Sequence, residues 1–133
     1  MRVPIKTRRW NDPTERDDGR RLLITRYRPR GVAKADETWD EWRPELGPSA
    51  ALLKSFKGTD PAASPVGWAA YRRHYLAEMR RHQQPAIDAL AARVRAGETV
   101  TLLCSSSCDR EARCHRSLLR ELIEQAVDGR PAP

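Results

Sequence analysis

The sequence lacks any long hydrophobic run, which argues against a membrane-spanning helix. Nothing in its 133 residues approaches the roughly 18 consecutive apolar residues that a span requires. The opening segment MRVPIKTRRW has basic residues but no apolar stretch behind them, so it does not resemble a secretory signal. We therefore expect no membrane association and a cytoplasmic location.

Cysteine is scarce and confined to one short segment. The chain has three cysteines, all of them within residues 104–114. An odd number of closely clustered cysteines does not suit a disulfide-stapled scaffold. We expect reduced thiols.

Lysine is also scarce, although the chain is basic. Lysine and arginine total 25 residues against 18 acidic ones, a net charge of +7, and only four of the 25 are lysine. Arginine recognises phosphate and carboxylate through two parallel hydrogen bonds, so the bias favours an anionic partner. An arginine-rich proteome would produce the same bias without any ligand, and composition leaves both explanations open.

The pattern of apolar and turn-forming residues predicts an α/β fold. Residues 2–8 and 20–25 are short β-prone runs, and residues 99–104 (TVTLLC) are apolar and β-branched, as in a strand buried on both faces. The segment RYRPRGVAK, residues 26–34, is an irregular loop carrying four positive charges. We predict one α/β domain over residues 1–128, a Rossmann-like arrangement with a small, mostly parallel sheet of about four strands flanked by helices, and a disordered tail over 129–133.

Helices are predicted in the middle and at the end of the chain. Ser49 and Ser64 are helix-capping residues, and Pro85 interrupts the helical pattern. An aromatic stripe of Trp68, Tyr71, Tyr75 and Met79 follows at helical spacing, which indicates burial in the core. The segment ETWDEWRPELGPS, with Trp39 and Trp42, fits either a helical turn or a short strand.

The segment LLCSSSCDREARCHRSLL joins the last strand to the last helix. Ligands of parallel sheets sit beyond the carboxyl ends of the strands, where Cys104 lies, and the following helix brings unpaired N–H groups to the same place. Cys114 and His115 fall on the inward-facing first turn of that helix. Their side chains should therefore point back towards Cys104.

Two interpretations of this segment give the cysteines a chemical role. Zinc would need four ligands, and Cys104, Cys108, Cys114 and His115 are of the right types, but their spacing matches no common zinc motif and we expect no metal. Alternatively, Cys104 and Arg110 form a Cys-x5-Arg pattern between strand and helix, the arrangement in which phosphatases hold an oxyanion. The thiolate would then be a nucleophile.

Two further interpretations involve no covalent chemistry. In one, His115, Arg116 and the loop amides bind a phosphate or carboxylate. In the other, Cys104 and Cys114 are buried as small apolar side chains and His115 bonds to a backbone carbonyl. The sequence favours these two, which are compatible with each other.

Four segments together resemble the domain of unknown function 488 family, the YeaO-like proteins. They are RYRPRGVAK, DEWRPELGPSAALLKSF, GWAAYRRHYLAEM and VTLLCSSSCDREARCHRSLL, and they span nearly the whole chain. The resemblance implies a compact α/β domain and brings no established reaction with it. It highlights Arg26, Pro29, Arg30, Gly31, Lys34, Trp42, Pro48, Ser49, Cys104, Cys114, His115, Arg116 and Ser117.

The resemblance also implies that the Pro-Arg-Gly loop follows one central strand and the Cys-His-Arg turn follows another, so that both lie at the same edge of the sheet and form one pocket. We therefore expect an anion-binding pocket for a phosphate or nucleotide-like molecule. The candidate catalytic residues are Cys104 and His115, and the candidate ligand-binding residues are Arg26, Arg30, Lys34, Cys114, Arg116 and Ser117. Whether the protein is an enzyme stays open, no cofactor is expected, and the alternative is a nucleic-acid-binding module that uses the basic surface.

Overall fold

A four-stranded, all-parallel sheet lies at the centre of the computed structural model, which describes residues 5–56, 60–105 and 113–129. The strands are β1 (Ile5–Arg9), β2 (Arg20–Leu23), β3 (Glu41–Trp42) and β4 (Val100–Cys104). Their order across the sheet is β1-β4-β2-β3, so the last strand of the chain is inserted between the first two. All five residues of β4 are buried, which confirms the prediction from its apolar run.

The strand register aligns the carboxyl ends of the three longer strands. Arg9 of β1 pairs with Cys104 of β4, and Leu23 of β2 pairs with Leu103. The ladder continues beyond the strands, because the Ile24 N–H donates to the Leu103 carbonyl at 3.0 Å. The segments that follow β1, β2 and β4 therefore all leave the sheet at one edge.

The helices begin close to the positions that the sequence predicts. They are α1 (Ala50–Ser55), α2 (Pro65–His82), α3 (Gln84–Arg95) and α4 (His115–Asp128). The hydroxyls of Ser49 and Ser64 accept from the N–H groups of Leu52 and Gly67, which satisfies one unpaired donor at each helix start. Pro85 lies in the first turn of α3, where its missing N–H costs no hydrogen bond.

The two faces of the sheet are covered differently. The buried apolar residues of the four α-helices join one large apolar cluster, which includes Leu22 and Leu102 of the central strands. Leu23 and Leu103 point the opposite way, as the alternation of a strand requires, and pack against Trp39. The ambiguous tryptophan segment thus contains no helical turn between its tryptophans: Trp39 covers the second face, and Trp42 ends the short edge strand β3.

The predicted fold class, a single α/β domain with a mostly parallel sheet, is confirmed. Of the predicted tail over 129–133, Gly129 ends α4 in the left-handed conformation with φ 71°, and residues 130–133 lie outside the described residues. Within the described ranges, no helix combines the length and the apolar character needed to cross a bilayer.

Candidate functional site

A cavity of about 790 Å³ opens at the carboxyl edge of the sheet. The segments that leave β1, β2 and β4 all contribute to it, together with α2 and the start of α4. Its wall is formed by Trp10, Thr25, Arg26, Tyr27, Pro29, Arg30, Pro48, Leu53, Phe56, Asp60, Pro61, Ala62, Trp68, Tyr71, Cys104, Ser105, Arg113, Cys114 and His115.

Two thiols and an imidazole meet in the wall of this cavity. The Cys114 thiol donates to Cys104 Sγ across 3.2 Å, and Cys104 Sγ lies 3.8 Å from His115 Nδ1. All three side chains are buried, Cys104 with 3% of its surface exposed. The sequence predicts this meeting, because the carboxyl end of β4 and the first turn of α4 face each other.

The orientation of His115 follows from a backbone contact. Its Nε2 lies 2.8 Å from the carbonyl oxygen of Ile24, just beyond β2. A carbonyl only accepts hydrogen bonds, so Nε2 carries the proton. In the neutral ring Nδ1 is then a lone-pair acceptor, and this is the nitrogen that faces Cys104.

Positive charge predominates around the cavity. Arg26, Arg30 and Arg113 line it, against the carboxylate of Asp60. Arg26 is held in place by donating from Nε to the Pro48 carbonyl at 3.1 Å, whereas Arg30 is exposed. Helix α4 begins at the cavity as well and directs the positive end of its dipole there.

Aromatic rings form another part of the wall. Trp68 stacks on Tyr71 with centroids 5.6 Å apart, and Phe56 meets Tyr71 edge to face, also at 5.6 Å. Tyr75 lies beneath them and packs against His115 at 5.6 Å. Burial raises the pKa of the Tyr75 phenol well above its usual value, so this buried side chain remains neutral. The stripe predicted as core is buried at Tyr71, Tyr75 and Met79, and its Trp68 and Tyr71 also form part of the cavity wall.

The candidate residues divide into two groups. Arg26, Arg30, Cys104, Cys114 and His115 all line the cavity. Lys34, Arg116 and Ser117 do not. The roles assigned to all eight stay predictions.

The three residues outside the cavity wall have other surroundings. Lys34 is exposed at the start of a 3-10 turn, and the Ser117 N–H donates to the Cys114 carbonyl at 3.1 Å. Arg116 is 4% exposed and lies near Asp12. The pKa of Asp12 is lowered first by the Arg9 backbone N–H, and the charge of Arg116 adds to this effect. Neither Nε nor Nη1 of Arg116 has a hydrogen-bond partner within the described part of the chain.

Several residues of the cavity wall were not predicted from the sequence, and Arg113 and Trp10 are examples. Arg113 lines it and is anchored by donating from Nη1 to the Ala62 carbonyl at 2.8 Å. Its position directly before Cys114, a predicted site residue, is the feature of the sequence that could have identified it. Trp10 lies just after β1 and was not considered. The Cys-x5-Arg hypothesis depends also on Arg110, which, like Cys108, lies outside the described residues.

The two thiols and the imidazole are also a potential set of metal ligands. The ligand atoms of Cys104, Cys114 and His115 all lie within 4.8 Å of one another. Three protein ligands with an open position is the number found in catalytic zinc sites, and the Ile24 carbonyl would fix the histidine as such sites require. The expectation that Cys104 does not bind structural zinc stays a prediction.

The chain that carries this parallel sheet and this buried Cys-Cys-His cluster belongs to the DUF488 family, because a family model matches most of its length. The family model that matches is DUF488-N3a, described as the active DUF488-N3 subclade, and it covers residues 5–127. A relative is Uncharacterized protein YeaO of Escherichia coli (strain K12), which is 42% identical over 80 residues. That similarity covers 60% of this chain and 65% of the length of YeaO. No solved structure matches the chain.

Proposed function

We propose that the protein is an enzyme that uses Cys104 as a nucleophile on a small phosphorylated or nucleotide-like molecule bound in the cavity. The observation that carries this proposal is the Cys104–His115 pair. A sulfur nucleophile lies 3.8 Å from the unprotonated nitrogen of an imidazole whose other nitrogen is held by the Ile24 carbonyl. A nucleophile, a base and a group that orients the base are the parts that covalent catalysis requires.

The chemistry follows from this arrangement. The Cys104 proton passes to His115 Nδ1, and the thiolate attacks the phosphorus of a phosphate ester. The S–P bond forms while the P–O bond to the leaving group breaks, and the imidazolium returns the proton to that oxygen. Water then cleaves the S–P bond and restores the thiol. The 3.8 Å between Cys104 Sγ and His115 Nδ1 is compatible with this role, because catalytic contacts often tighten only when substrate binds.

The surroundings of the pair support an anionic substrate with a flat apolar part. Arg26, Arg30 and Arg113 offer charge-assisted hydrogen bonds to a phosphate. Trp68 and Tyr71 offer an aromatic wall on which a planar ring would stack. Cavities that combine an apolar wall with a few convergent polar groups are the usual form of small-molecule sites.

The first experiment measures the reactivity of Cys104 and its protection by anions. Iodoacetamide should modify Cys104 at neutral pH at least about tenfold faster than a free cysteine. Inorganic phosphate or a nucleotide should slow that reaction. Slow alkylation that is insensitive to every anion tested would contradict the proposal.

Matched arginine variants locate the anion. Arg30→Ala should raise the anion concentration that gives half-maximal protection by about ten- to a hundredfold. One charge-assisted contact contributes roughly 1.5 to 3 kcal/mol to binding. Arg16→Ala removes the same charge from an exposed residue outside the cavity wall, and it should behave as the unmodified protein. An equal effect of the two variants would mean that net charge, and not the cavity, attracts the anion.

The second candidate, a nucleic-acid-binding module, rests on the net charge of +7. Several arginines are already engaged within the protein, since Arg8, Arg20 and Arg28 form ion pairs with carboxylates. Nucleic-acid binding would weaken steeply as salt concentration rises, whereas a ligand in the cavity would be far less sensitive. A salt titration of binding to single-stranded and duplex oligonucleotides separates the two functions.

A further inference from the structure

We propose that Cys104 and Cys114 are a site of reversible oxidative modification, at which peroxide joins the two thiols in a disulfide. The sulfur atoms lie 3.2 Å apart, and both are thiols in the structure. A disulfide bond is about 2.05 Å long, so the atoms need to approach by only about 1 Å. The inference concerns the same site as the proposed function. It requires only the two thiols, and it does not require that Cys104 reacts with a phosphate ester.

The local structure permits this approach. Cys104 ends β4, and Cys114 precedes the first residue of α4 in an extended conformation, with φ −138° and ψ 146°. Cys114 is therefore not yet part of the helix, and its side chain turns towards Cys104 without disturbing the hydrogen bonds of α4. Both residues line the open cavity, which gives a small oxidant a route to them.

His115 makes Cys104 the sulfur that reacts first. Peroxides react with thiolates, and Nδ1 of His115 is placed to accept the Cys104 proton. The thiolate attacks one oxygen of hydrogen peroxide, so an S–O bond forms, the O–O bond breaks and the departing hydroxide takes a proton to become water. Cys104 is now a sulfenic acid.

Cys114 completes the reaction. Its sulfur attacks Cys104 Sγ, the S–S bond forms, the S–O bond breaks, and the hydroxyl leaves with the Cys114 proton as a second water. In total, two thiols and one hydrogen peroxide become one disulfide and two waters. The disulfide withdraws Cys104 from any nucleophilic role and protects it from the irreversible sulfinic and sulfonic acids, and a dithiol reductant restores both thiols.

The experiment uses the full chain, reduced and freed of metal by a chelator. The protein is treated with hydrogen peroxide, blocked with N-ethylmaleimide and analysed as intact protein and as tryptic peptides. The expected product has lost two hydrogens, carries one blocked cysteine, and links the peptide of residues 96–110 to that of residues 114–116. Dithiothreitol should reverse the change completely.

Cysteine variants identify which two cysteines form the disulfide. They are needed because Cys104 and Cys108 lie in the same tryptic peptide. Cys108→Ser should form the linked peptides at a rate within about twofold of the unmodified protein, because neither reacting sulfur has changed. Cys114→Ser should form no intramolecular disulfide at Cys104. It should instead accumulate a dimedone-reactive sulfenic acid at Cys104 and then oxidise irreversibly. Cys114→Ala gives a second form of the same test, and circular dichroism checks that each variant is folded.

Three results would overturn the inference: a disulfide that requires Cys108, no disulfide in the unmodified protein, or Cys114→Ser protein that is no more prone to irreversible oxidation than the unmodified chain. None of these readouts depends on catalysis. An inactive protein that forms the linked peptides would refute the proposed enzyme alone. An active protein that fails to form them would refute the proposed disulfide alone.

Discussion

Replacement of Asp18 by asparagine tests the buried ion pair at the amino edge of the sheet. Asp18 is 1% exposed, and its carboxylate forms a buried salt bridge with Arg21, which is 3% exposed. It also accepts from the Glu15 N–H at 3.0 Å and from Lys6 Nζ at 2.7 Å. Asp18→Asn keeps the size of the side chain but leaves the Arg21 guanidinium buried without its counter-charge.

The expected loss of stability is about 3 kcal/mol. Removing one partner of a buried ion pair usually costs about 3 to 5 kcal/mol, because the other charge is left uncompensated. The lower value applies because the asparagine carbonyl still accepts one of the hydrogen bonds, and Arg21 Nε still donates to the Thr38 carbonyl at 2.7 Å. For a domain of this length, such a loss lowers the melting temperature by about 10 °C.

The effect of Asp18 also depends on pH. Burial alone would raise its pKa, but the hydrogen bonds from the Glu15 N–H, Lys6 and Arg21 outweigh it, so the pKa of the folded state is lowered. A lowered pKa stabilises the fold above the unfolded-state pKa of about 3.9, and this contribution is lost as the pH falls through the folded-state value. The difference between the two proteins should therefore be full at pH 7 and should shrink below about pH 4.

Urea unfolding followed by circular dichroism at several pH values measures both effects. Asp17→Asn is the control, because Asp17 contacts the same lysine at 2.9 Å but its side chain is 81% exposed. Its effect should be much smaller, since exposed ion pairs contribute little. Equal destabilisation by the two variants, or a difference at pH 7 that persists unchanged at pH 3, would refute the reasoning.

Three further predictions concern other parts of the fold. Gly19→Ala should destabilise the protein by more than about 1 kcal/mol in urea unfolding, because Gly19 has φ 65° and a Cβ there would lie 2.2 Å from the Thr99 carbonyl oxygen; unchanged stability would contradict this. Tyr75→Phe should cost about 1 to 3 kcal/mol in the same assay, since the buried Tyr75 hydroxyl donates to the Leu46 carbonyl at 2.8 Å, and a stability equal to the unmodified protein would show that this bond contributes nothing. Protein purified without added zinc should contain no stoichiometric metal by elemental analysis, and stoichiometric zinc whose removal also unfolds the chain would make Cys104 a structural ligand.

Local sequence patterns were sufficient to predict a structural feature wherever the pattern has a single common structural role. Ser49 and Ser64 were predicted to cap helices and do so, because a serine hydroxyl before a helix satisfies an N–H that has no acceptor within the helix itself. The apolar run of residues 99–104 was predicted to be buried on both faces, and β4 lies at the centre of the sheet. Burial and capping are properties of a segment and its nearest neighbours.

Contacts between distant segments could not be predicted in the same way. The tryptophans of residues 37–49 fitted two local structures equally well, and Trp39 found its place only against Leu23 and Leu103. Lys34 and Arg30 belong to the same basic loop, yet Arg30 lines the cavity and Lys34 does not. The turn at Gly31, with φ 74°, lies between them, and charge pattern alone contains no information about the direction of such a turn.

The sequence by itself determined the α/β class, the helix starts, and the meeting of Cys104 with Cys114 and His115, because these depend on periodicity, on capping and on a strand and helix joined by one loop. Only the tertiary structure decided that β4 lies between β1 and β2, that Arg113 and Trp10 line the cavity, and that the Ile24 carbonyl orients His115. The Ile24 contact joins residues 91 positions apart. It forms because β2 and β4 are neighbours in the sheet, and strand order depends on the packing of the whole core, which no single segment encodes.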